Sequence, residues 1–245
     1  MITKNTIKRI ASLKQPKFRK ELGLFVVEGR KTVEELLLSD FETDGLFVTQ
    51  SFLDGNKTTF PQAETVSEMQ MQQMSGLSTP PGILAVAKIP ECKPVSTTAR
   101  FILALDGITN PGNMGTLLRT AEWFGIRDIV CSTDSVEIWN PKVIQAAMGS
   151  AFRINIIQTE LPAFLAEQRQ NGKTIYGALL EGQDLFETEG KAEGVLVIGS
   201  ESHGIRPEVL PFVTHPITIP RVGHSATESL NAAVAAGILM AELTR

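Results

Sequence analysis

The chain has 245 residues, of which 42% are hydrophobic and 20% charged, with a formal net charge of −4. It contains no apolar run near the roughly 18 residues that span a bilayer, and its start lacks the apolar core of a secretory signal. Its two cysteines, Cys92 and Cys131, are far apart and form no metal-binding or disulfide pattern. We therefore expect a cytoplasmic protein with reduced thiols and no metal.

The charge is distributed unevenly along the chain. The first 31 residues carry nine Lys or Arg against two Glu, whereas the remainder carries 14 bases and 25 acids, a net charge of −11. Such a basic end can attract a polyanion through counterion release. A solvated helix face explains the same pattern equally well, so charge alone suggests nucleic acid without establishing it.

Strand and helix patterns alternate through the first 90 residues. Ser67 and Gln70 form a capping box that predicts the start of a short helix. The segment 91–100 is rich in proline and small polar residues and is the best candidate for a linker. The other predicted elements of this part are strands over 24–29, 45–50 and 82–88 and a helix over 30–39.

From residue 101 the alternation of strands and helices is more regular. Strands followed by helices of 10–15 residues predict an α/β fold with a parallel sheet. We therefore expect a small N-terminal α/β domain over 1–90 and a larger domain over 101–245. The predicted helices of the larger domain are 111–125, 140–151, 161–172, a short one over 206–213, and a strongly apolar one over 227–245.

Several familiar motifs are absent. No G-x-G-x-x-G follows a strand, and the sequence has neither an H-E-x-x-H nor a G-x-S-x-G motif. Instead, three polar, glycine-bearing segments follow apolar strands, at 110–125, 195–205 and 217–238. Because ligands bind beyond the carboxyl ends of parallel strands, these segments could converge on one site.

These three segments resemble known motifs in both order and spacing. NPGNMGTLLRTAEWFGI, VLVIGSESHGI and IPRVGHSATESLNAAVAAGILMAEL are similar to the three motifs of the SpoU (TrmH-like) family of SPOUT RNA 2′-O-ribose methyltransferases. The N-terminal FVVEGRKTVEELL and LSTPPGILAVAK resemble the ribosomal-protein-like substrate-binding domain that many members carry. The resemblance covers all of 101–245 and extends into 1–90.

The resemblance implies a fold, a cofactor and an assembly that no periodicity reveals. It implies a homodimer whose C-terminal domain contains a deep trefoil knot and binds S-adenosyl-L-methionine. It implies that Arg119 is the catalytic arginine and acts across the dimer interface, either as a base or as an electrostatic stabiliser. The remaining catalytic positions implied are Asn113, Glu201, Ser229 and Asn231, and the cofactor-binding positions are Gly199, Ile219 and Leu230.

The implied substrate is RNA. We expect the basic N-terminal segment to bind it, and 23S rRNA with a guanosine target is favoured because relatives with this domain commonly act there. A tRNA substrate, a non-catalytic RNA-binding module of the same fold and a hydrolase-like enzyme are the alternatives. The residues expected to bind RNA are Lys14, Lys17, Arg19 and Lys20.

Two positions depart from the family pattern. Ser202 replaces a glycine that is common in the second motif, and Arg221 replaces the usual methionine in the third. The loop before Ser229 is also about two residues longer than the commonest form. Contacts from 221–227 are therefore not predictable from the resemblance.

Overall fold

The computed structural model describes residues 2–56, 60–96, 98–188, 193–223 and 227–245. Contacts among them divide the chain into two compact units, one formed by Met1–Glu91 with Glu137–Phe152 and the other by Cys92–Val136 with Arg153–Arg245. Each unit has its own sheet. Across the described ranges, no helix is long and apolar enough to cross a membrane.

The helices and strands occur in the following order. Up to residue 91 they are α1 Lys4–Ser12, α2 Pro16–Leu22, β1 Leu24–Glu28, α3 Arg30–Leu37, β2 Thr43–Thr49, α4 Gln50–Asp54, β3 Glu64–Val66, α5 Glu68–Met74 and β4 Ile83–Lys88. After it they are β5 Phe101–Leu105, α6 Pro111–Trp123, β6 Asp128–Ser132, α7 Pro141–Ala147, β7 Asn155–Thr159, α8 Leu161–Gln170, β8 Ile175–Asp184, β9 Gly194–Ile198, β10 His215–Thr218 and α9 Ala232–Leu243.

The first unit is built on a mixed sheet with the strand order β1-β4-β2-β3. Strand β4 is antiparallel to both neighbours, whereas β3 runs parallel to β2. The predicted capping box is confirmed at the start of α5. There, Ser67 Oγ accepts from the Gln70 amide at 3.2 Å, and Gln70 Oε1 accepts from the Ser67 amide at 2.8 Å. Each side chain thereby satisfies an amide that has no partner within the helix.

The second unit contains a parallel six-stranded sheet with the order β10-β8-β9-β5-β6-β7, which confirms the predicted fold class. Strands β5, β6 and β9 are buried along their whole length, which is why β5, β9 and the centre of β6 are continuously apolar rather than alternating. Since all six strands are parallel, their carboxyl ends lie at one edge of the sheet. The polar parts of the three motif segments follow the carboxyl ends of β5, β9 and β10.

Three predicted helices differ from those observed. The helix expected over 140–151 ends at Ala147 and is followed by a 3₁₀ turn over Ser150–Phe152, because Met148 and Gly149 adopt positive φ angles. The short helix expected over 206–213 is only a 3₁₀ turn at Leu210–Phe212, because Pro211 has no amide hydrogen for a continuing α-helix. The last helix begins at Ala232 rather than near 227, since the Asn231 side chain caps it there. Residues 224–226 of the third motif segment, just before the predicted helix, lie outside the described residues.

The segment Glu137–Phe152 clusters with the first unit, although the predicted C-terminal domain includes it. Its aromatic side chains explain why. The Trp139 ring lies 4.7 Å from that of Phe25 and 5.7 Å from that of Phe41, and Phe41 in turn contacts Phe152 at 5.4 Å between centroids. Burying these rings together favours their association with β1.

Arg19 was expected to bind RNA, and the structure contradicts this. Its side chain is fully buried, its Nη1 donates to the Leu13 carbonyl at 2.6 Å, and its Nε donates to Glu137 Oε1 at 2.9 Å. A guanidinium enclosed by these acceptors has no surface to offer to a phosphate. Sequence counting missed this because a charge run does not reveal which member turns inward.

We therefore predict that Arg19→Ala destabilises the protein. Removing the guanidinium leaves the Glu137 carboxylate and the Leu13 carbonyl without their donor. The free energy of unfolding should fall by about 2–3 kcal/mol, less than for a fully buried pair because Glu137 remains partly hydrated. Denaturant unfolding would measure this. The neighbouring exposed Lys20→Ala is the control and should change stability by less than about 0.5 kcal/mol; equal effects of the two substitutions would contradict the prediction.

Candidate functional site

The first motif forms the start of α6. Asn110 is the residue that caps this helix, and its Oδ1 accepts from the amides of Gly112 at 2.8 Å and Asn113 at 3.2 Å. Pro111 occupies the first turn, where a missing amide hydrogen costs nothing. Asn110 and Pro111 thus form the start of the helix, which leaves the Asn113 side chain available for other contacts.

The second motif forms a closed loop after β9. Ser200 and Gly204 exchange two backbone hydrogen bonds, of 3.1 and 2.9 Å, and the exposed Glu201 lies between them. A Cβ on Gly199 would lie 2.0 Å from the Gly204 carbonyl carbon, so only glycine allows the loop to fold back this tightly. Gly199 was expected to permit close approach of a cofactor; the close approach seen is to its own loop.

Asn231 of the third motif joins the other two segments. Its Oδ1 caps α9 by accepting from the amides of Ala233 at 3.0 Å and Val234 at 3.3 Å. Its Nδ2 donates to Asn113 Oδ1 at 3.1 Å and also to Glu201 Oε1. Three of the residues singled out from the sequence are therefore in direct contact, and one amide holds them together.

Arg119 does not join this cluster. Its side chain is exposed and has no hydrogen bond or ion pair with any described residue. Glu122, three positions further along α6, is bound by Arg153. Arg119 lies six positions after Asn113, about 9 Å further along the helix axis. Its guanidinium is thus free to contact a group from outside the described chain.

The positions expected to hold the cofactor lie just after two strands, β9 and β10, and just before helix α9. Gly199 is buried directly after β9, Ile219 is half-buried after β10, and Leu230 is exposed just before α9. Val222 and Leu230, in the segment between β10 and α9, are large apolar side chains that are exposed. Apolar surface of this kind suits the adenine ring of S-adenosyl-L-methionine, so these residues fit that cofactor.

Of the two departures noted above, Arg221 lies in the third motif and Ser202 in the second. Arg221 Nη2 donates to the Glu228 carbonyl and so ties together the two described sides of the loop. Ser229 is exposed, and residues 224–226 lie outside the described residues. In the second motif, Ser202 Oγ lies 2.8 Å from His203 Nδ1. No group of side chains suited to a metal ion occurs within the described ranges.

One ion pair at this edge was not predicted. The Asp106 carboxylate at the end of β5 is fully buried and bonds the Arg206 side chain. The hydrogen bond that the Arg206 guanidinium donates to Asp106 raises the pKa of that guanidinium above its ordinary value. The available signal was an aspartate at the end of the apolar strand FILALD, because a buried carboxylate requires a partner. The sequence does not show which of the chain's basic residues supplies it.

Two family models match the chain. The SpoU rRNA Methylase family model matches residues 100–241, and the MRM3-like substrate binding domain model matches residues 4–85. The first match covers more than half of the chain and spans all three motif segments.

Individual relatives agree with these matches. The 23S rRNA (guanosine(2553)-2′-O)-methyltransferase RlmP of Bacillus subtilis is 30% identical over 97% of this chain and 95% of its own length. A TrmH-family protein of Porphyromonas gingivalis superposes with a TM-score of 0.87 at 38% identity, over 99% of this chain and 98% of that one. An AdoMet-bound rRNA methyltransferase of Sinorhizobium meliloti superposes with a TM-score of 0.84 at 25% identity, over 99% and 95%. With the motif segments meeting at Asn231 and relatives that match along nearly its whole length, this chain belongs to the SpoU rRNA methylase family.

Proposed function

We propose that the protein transfers a methyl group from S-adenosyl-L-methionine to a ribose 2′-hydroxyl of 23S rRNA, with guanosine as the target nucleoside. The observation that carries this proposal is the contact of Asn113 and Glu201 with the Asn231 amide, since it unites one residue from each motif. The name of one relative supports this substrate, because RlmP is named as a methyltransferase for a guanosine 2′-oxygen of 23S rRNA. We place the activity in the cytoplasm.

The cofactor would be held by Gly199, Ile219 and Leu230, through backbone groups and apolar contact. When bound, it supplies a methyl group on a positively charged sulfur. The protein's own task is to orient the ribose and to provide for the proton of its hydroxyl. Amide and hydroxyl groups of Asn113, Asn231 and Ser229 can hydrogen-bond ribose and phosphate without adding net charge.

Arg119 stabilises the reaction electrostatically in this proposal. Its guanidinium binds the phosphate beside the target nucleotide and stabilises negative charge that develops on the 2′-oxygen. A role as the base is chemically demanding, because guanidinium stays protonated in proteins. Its exposure and its distance along α6 from Asn113 support action on the partner's site in a homodimer. The exposed Trp123 and Val234, on α6 and α9, are apolar surface that such an interface would cover. The trefoil knot remains an implication of the family resemblance.

The N-terminal domain over 1–90 would bind the RNA, and 101–245 would carry out the transfer. Lys14, Lys17 and Lys20 are exposed at the end of α1 and on α2, so each can reach a phosphate. They also lie within the region that matches a substrate-binding domain. With Arg19 removed from the set, these three lysines form the proposed RNA contact.

We predict that replacing Lys14, Lys17 and Lys20 together with glutamine weakens RNA binding and reduces its dependence on salt. Each lysine that neutralises a phosphate contributes about one unit to the slope of log K against log salt concentration. The slope should therefore fall by about 2–3 units in a filter-binding titration. Lys88→Gln with Lys93→Gln, two exposed lysines outside this segment, should leave it within about half a unit. An unchanged slope in the triple variant would identify the segment as a solvated helix face.

The proposed function is tested by methyl transfer from labelled S-adenosyl-L-methionine to unmodified 23S rRNA and, separately, to unmodified tRNA. Mass spectrometry of nuclease digests then locates the methyl group. We expect a single 2′-O-methylguanosine in 23S rRNA. Transfer to tRNA alone would show that tRNA, and not 23S rRNA, is the substrate. A methyl group on a base would contradict the proposed 2′-O-methylation. The absence of transfer to either RNA would indicate a non-catalytic RNA-binding module.

A further inference from the structure

The pair formed by buried Asp106 and half-buried Arg206 has more contacts than a simple ion pair. Asp106 Oδ2 accepts from the backbone amide of Arg206 at 2.8 Å, and Oδ1 accepts from Nε at 2.7 Å and from Nη2 at 2.6 Å. The carboxylate therefore accepts hydrogen bonds from both the main chain and the side chain of Arg206. Charge-assisted bonds of this kind are stronger and more directional than neutral ones.

Arg206 lies two residues after Gly204, at the end of the loop that carries Glu201. The loop is closed by the hydrogen bonds between Ser200 and Gly204, and the next residue, Ile205, is buried. Glu201 itself is exposed, and its Oε1 accepts a hydrogen bond from the Asn231 side chain. The position of Glu201 thus depends on how firmly the residues at the two ends of its loop are held.

The same carboxylate stands at the start of the first motif. The chain runs from Asp106 through Gly107 and Ile108 to Asn110, the cap of α6. The amides of Gly107 and Ile108 donate to Ser132 Oγ at 2.8 Å and Ser135 Oγ at 3.2 Å. Arg206 reaches this region too, because its Nη1 lies 3.3 Å from Asp134 Oδ2. Arg206 therefore connects the loop of the second motif to the segment that leads to Asn113.

We propose that Arg206 is a positioning residue for methyl transfer. By binding Asp106 it holds the Glu201 loop against the segment before α6, so that the Asn231 amide can bond Glu201 and Asn113 at once. This proposal rests on the function proposed above. A lysine cannot replace the arginine here, because a single ammonium cannot reproduce the paired Nε and Nη2 contacts.

The first test compares Arg206→Lys and Asp106→Asn with the wild type in single-turnover methylation. Both substitutions conserve approximate size, and the first also conserves charge. We expect each to lower the rate constant by about 10-fold or more, while the Kd for S-adenosyl-L-methionine, from calorimetry, stays within about threefold. A rate within twofold of wild type in both variants, or a cofactor Kd raised more than tenfold, would overturn the proposal. Arg169→Lys, at an exposed arginine of α8, is the matched control.

The second test asks whether Arg206 acts through Glu201. In a Glu201→Gln background, Arg206→Lys should lower the rate constant by less than about threefold, because the contact it supports is already altered. If the loss is as large as in the wild-type background, the arginine has only a general structural role and the proposal fails. Asp106→Asn is carried through the same cycle in case Arg206→Lys does not fold.

The two proposals fail in different ways. An inactive wild-type protein that binds RNA and cofactor would contradict the methyltransferase function. An active wild type whose Arg206 and Glu201 substitutions combine additively would contradict only the positioning role.

Discussion

Arg119→Ala is expected to reduce methyl transfer by at least about 100-fold while S-adenosyl-L-methionine binding remains within about twofold. The loss follows from removing the one motif cation that has no partner among the described residues and is thus available to the substrate. Removing a single donor that stabilises developing negative charge typically costs about 10²–10³ in rate. Single-turnover methylation and calorimetric cofactor binding would measure the two quantities.

Matched substitutions separate the role of Arg119 from its charge. Arg119→Lys keeps the positive charge but loses the planar fork, so near-normal activity would count against a specific guanidinium role. Arg169→Ala removes another exposed arginine of the same unit and should leave the rate within about twofold. Substantial activity of Arg119→Ala would remove this residue from the mechanism.

Mixing two inactive variants tests whether Arg119 acts across a dimer. If Arg119 of one subunit completes the site that contains Asn231 of the other, a mixed dimer of Arg119→Ala and Asn231→Asp has one intact site. Random mixing should then restore about a quarter of the wild-type activity, because half of the dimers are mixed. No recovery after subunit exchange would place both residues in the site of a single subunit.

Asn231→Asp is expected to lower methyl transfer by about 100-fold with little change in stability. Aspartate still offers an oxygen to the amides of Ala233 and Val234, so the cap of α9 survives. It cannot donate to Asn113 Oδ1, however, and it places a second carboxylate beside Glu201. The free energy of unfolding should change by less than about 1 kcal/mol, since an acidic side chain also suits a helix N-terminus.

Comparison with Asn231→Ala distinguishes the two roles of this residue. Alanine removes the cap as well as the donor, so it should cost a further approximately 1 kcal/mol of stability beyond the loss of activity. Denaturant unfolding and single-turnover rates together give the comparison. A wild-type rate for Asn231→Asp would show that the contact with Asn113 and Glu201 serves the fold alone.

Local chemistry made several features predictable. The capping box at Ser67 and Gln70 depends on residues three positions apart, and it forms as expected. The buried strands of the parallel sheet are continuous apolar runs between polar loops, which a reader of the sequence can locate directly. The convergence of the three motifs follows from the same pattern, because parallel strands end at one edge.

Features that depend on distant partners were not predictable. Arg19 looked like its basic neighbours, yet its burial is decided by Glu137, which is 118 positions away. The association of Glu137–Phe152 with the first unit depends on aromatic rings supplied by Phe25 and Phe41. No local pattern encodes either contact.

The sequence by itself therefore determined the fold class, through the periodicity of strands and helices, and the family and the positions of the polar motif residues, through the resemblance of its three motifs to those of known proteins. The tertiary structure decided which of those residues touch. It assigned Asn231 as the common partner of Asn113 and Glu201, and it left Arg119 exposed without a partner among the described residues. It also gave buried Asp106 its partner in Arg206, 100 positions further along the chain. The physical reason is that a hydrogen bond or ion pair requires two groups within about 3 Å, a condition that only the folded chain can meet.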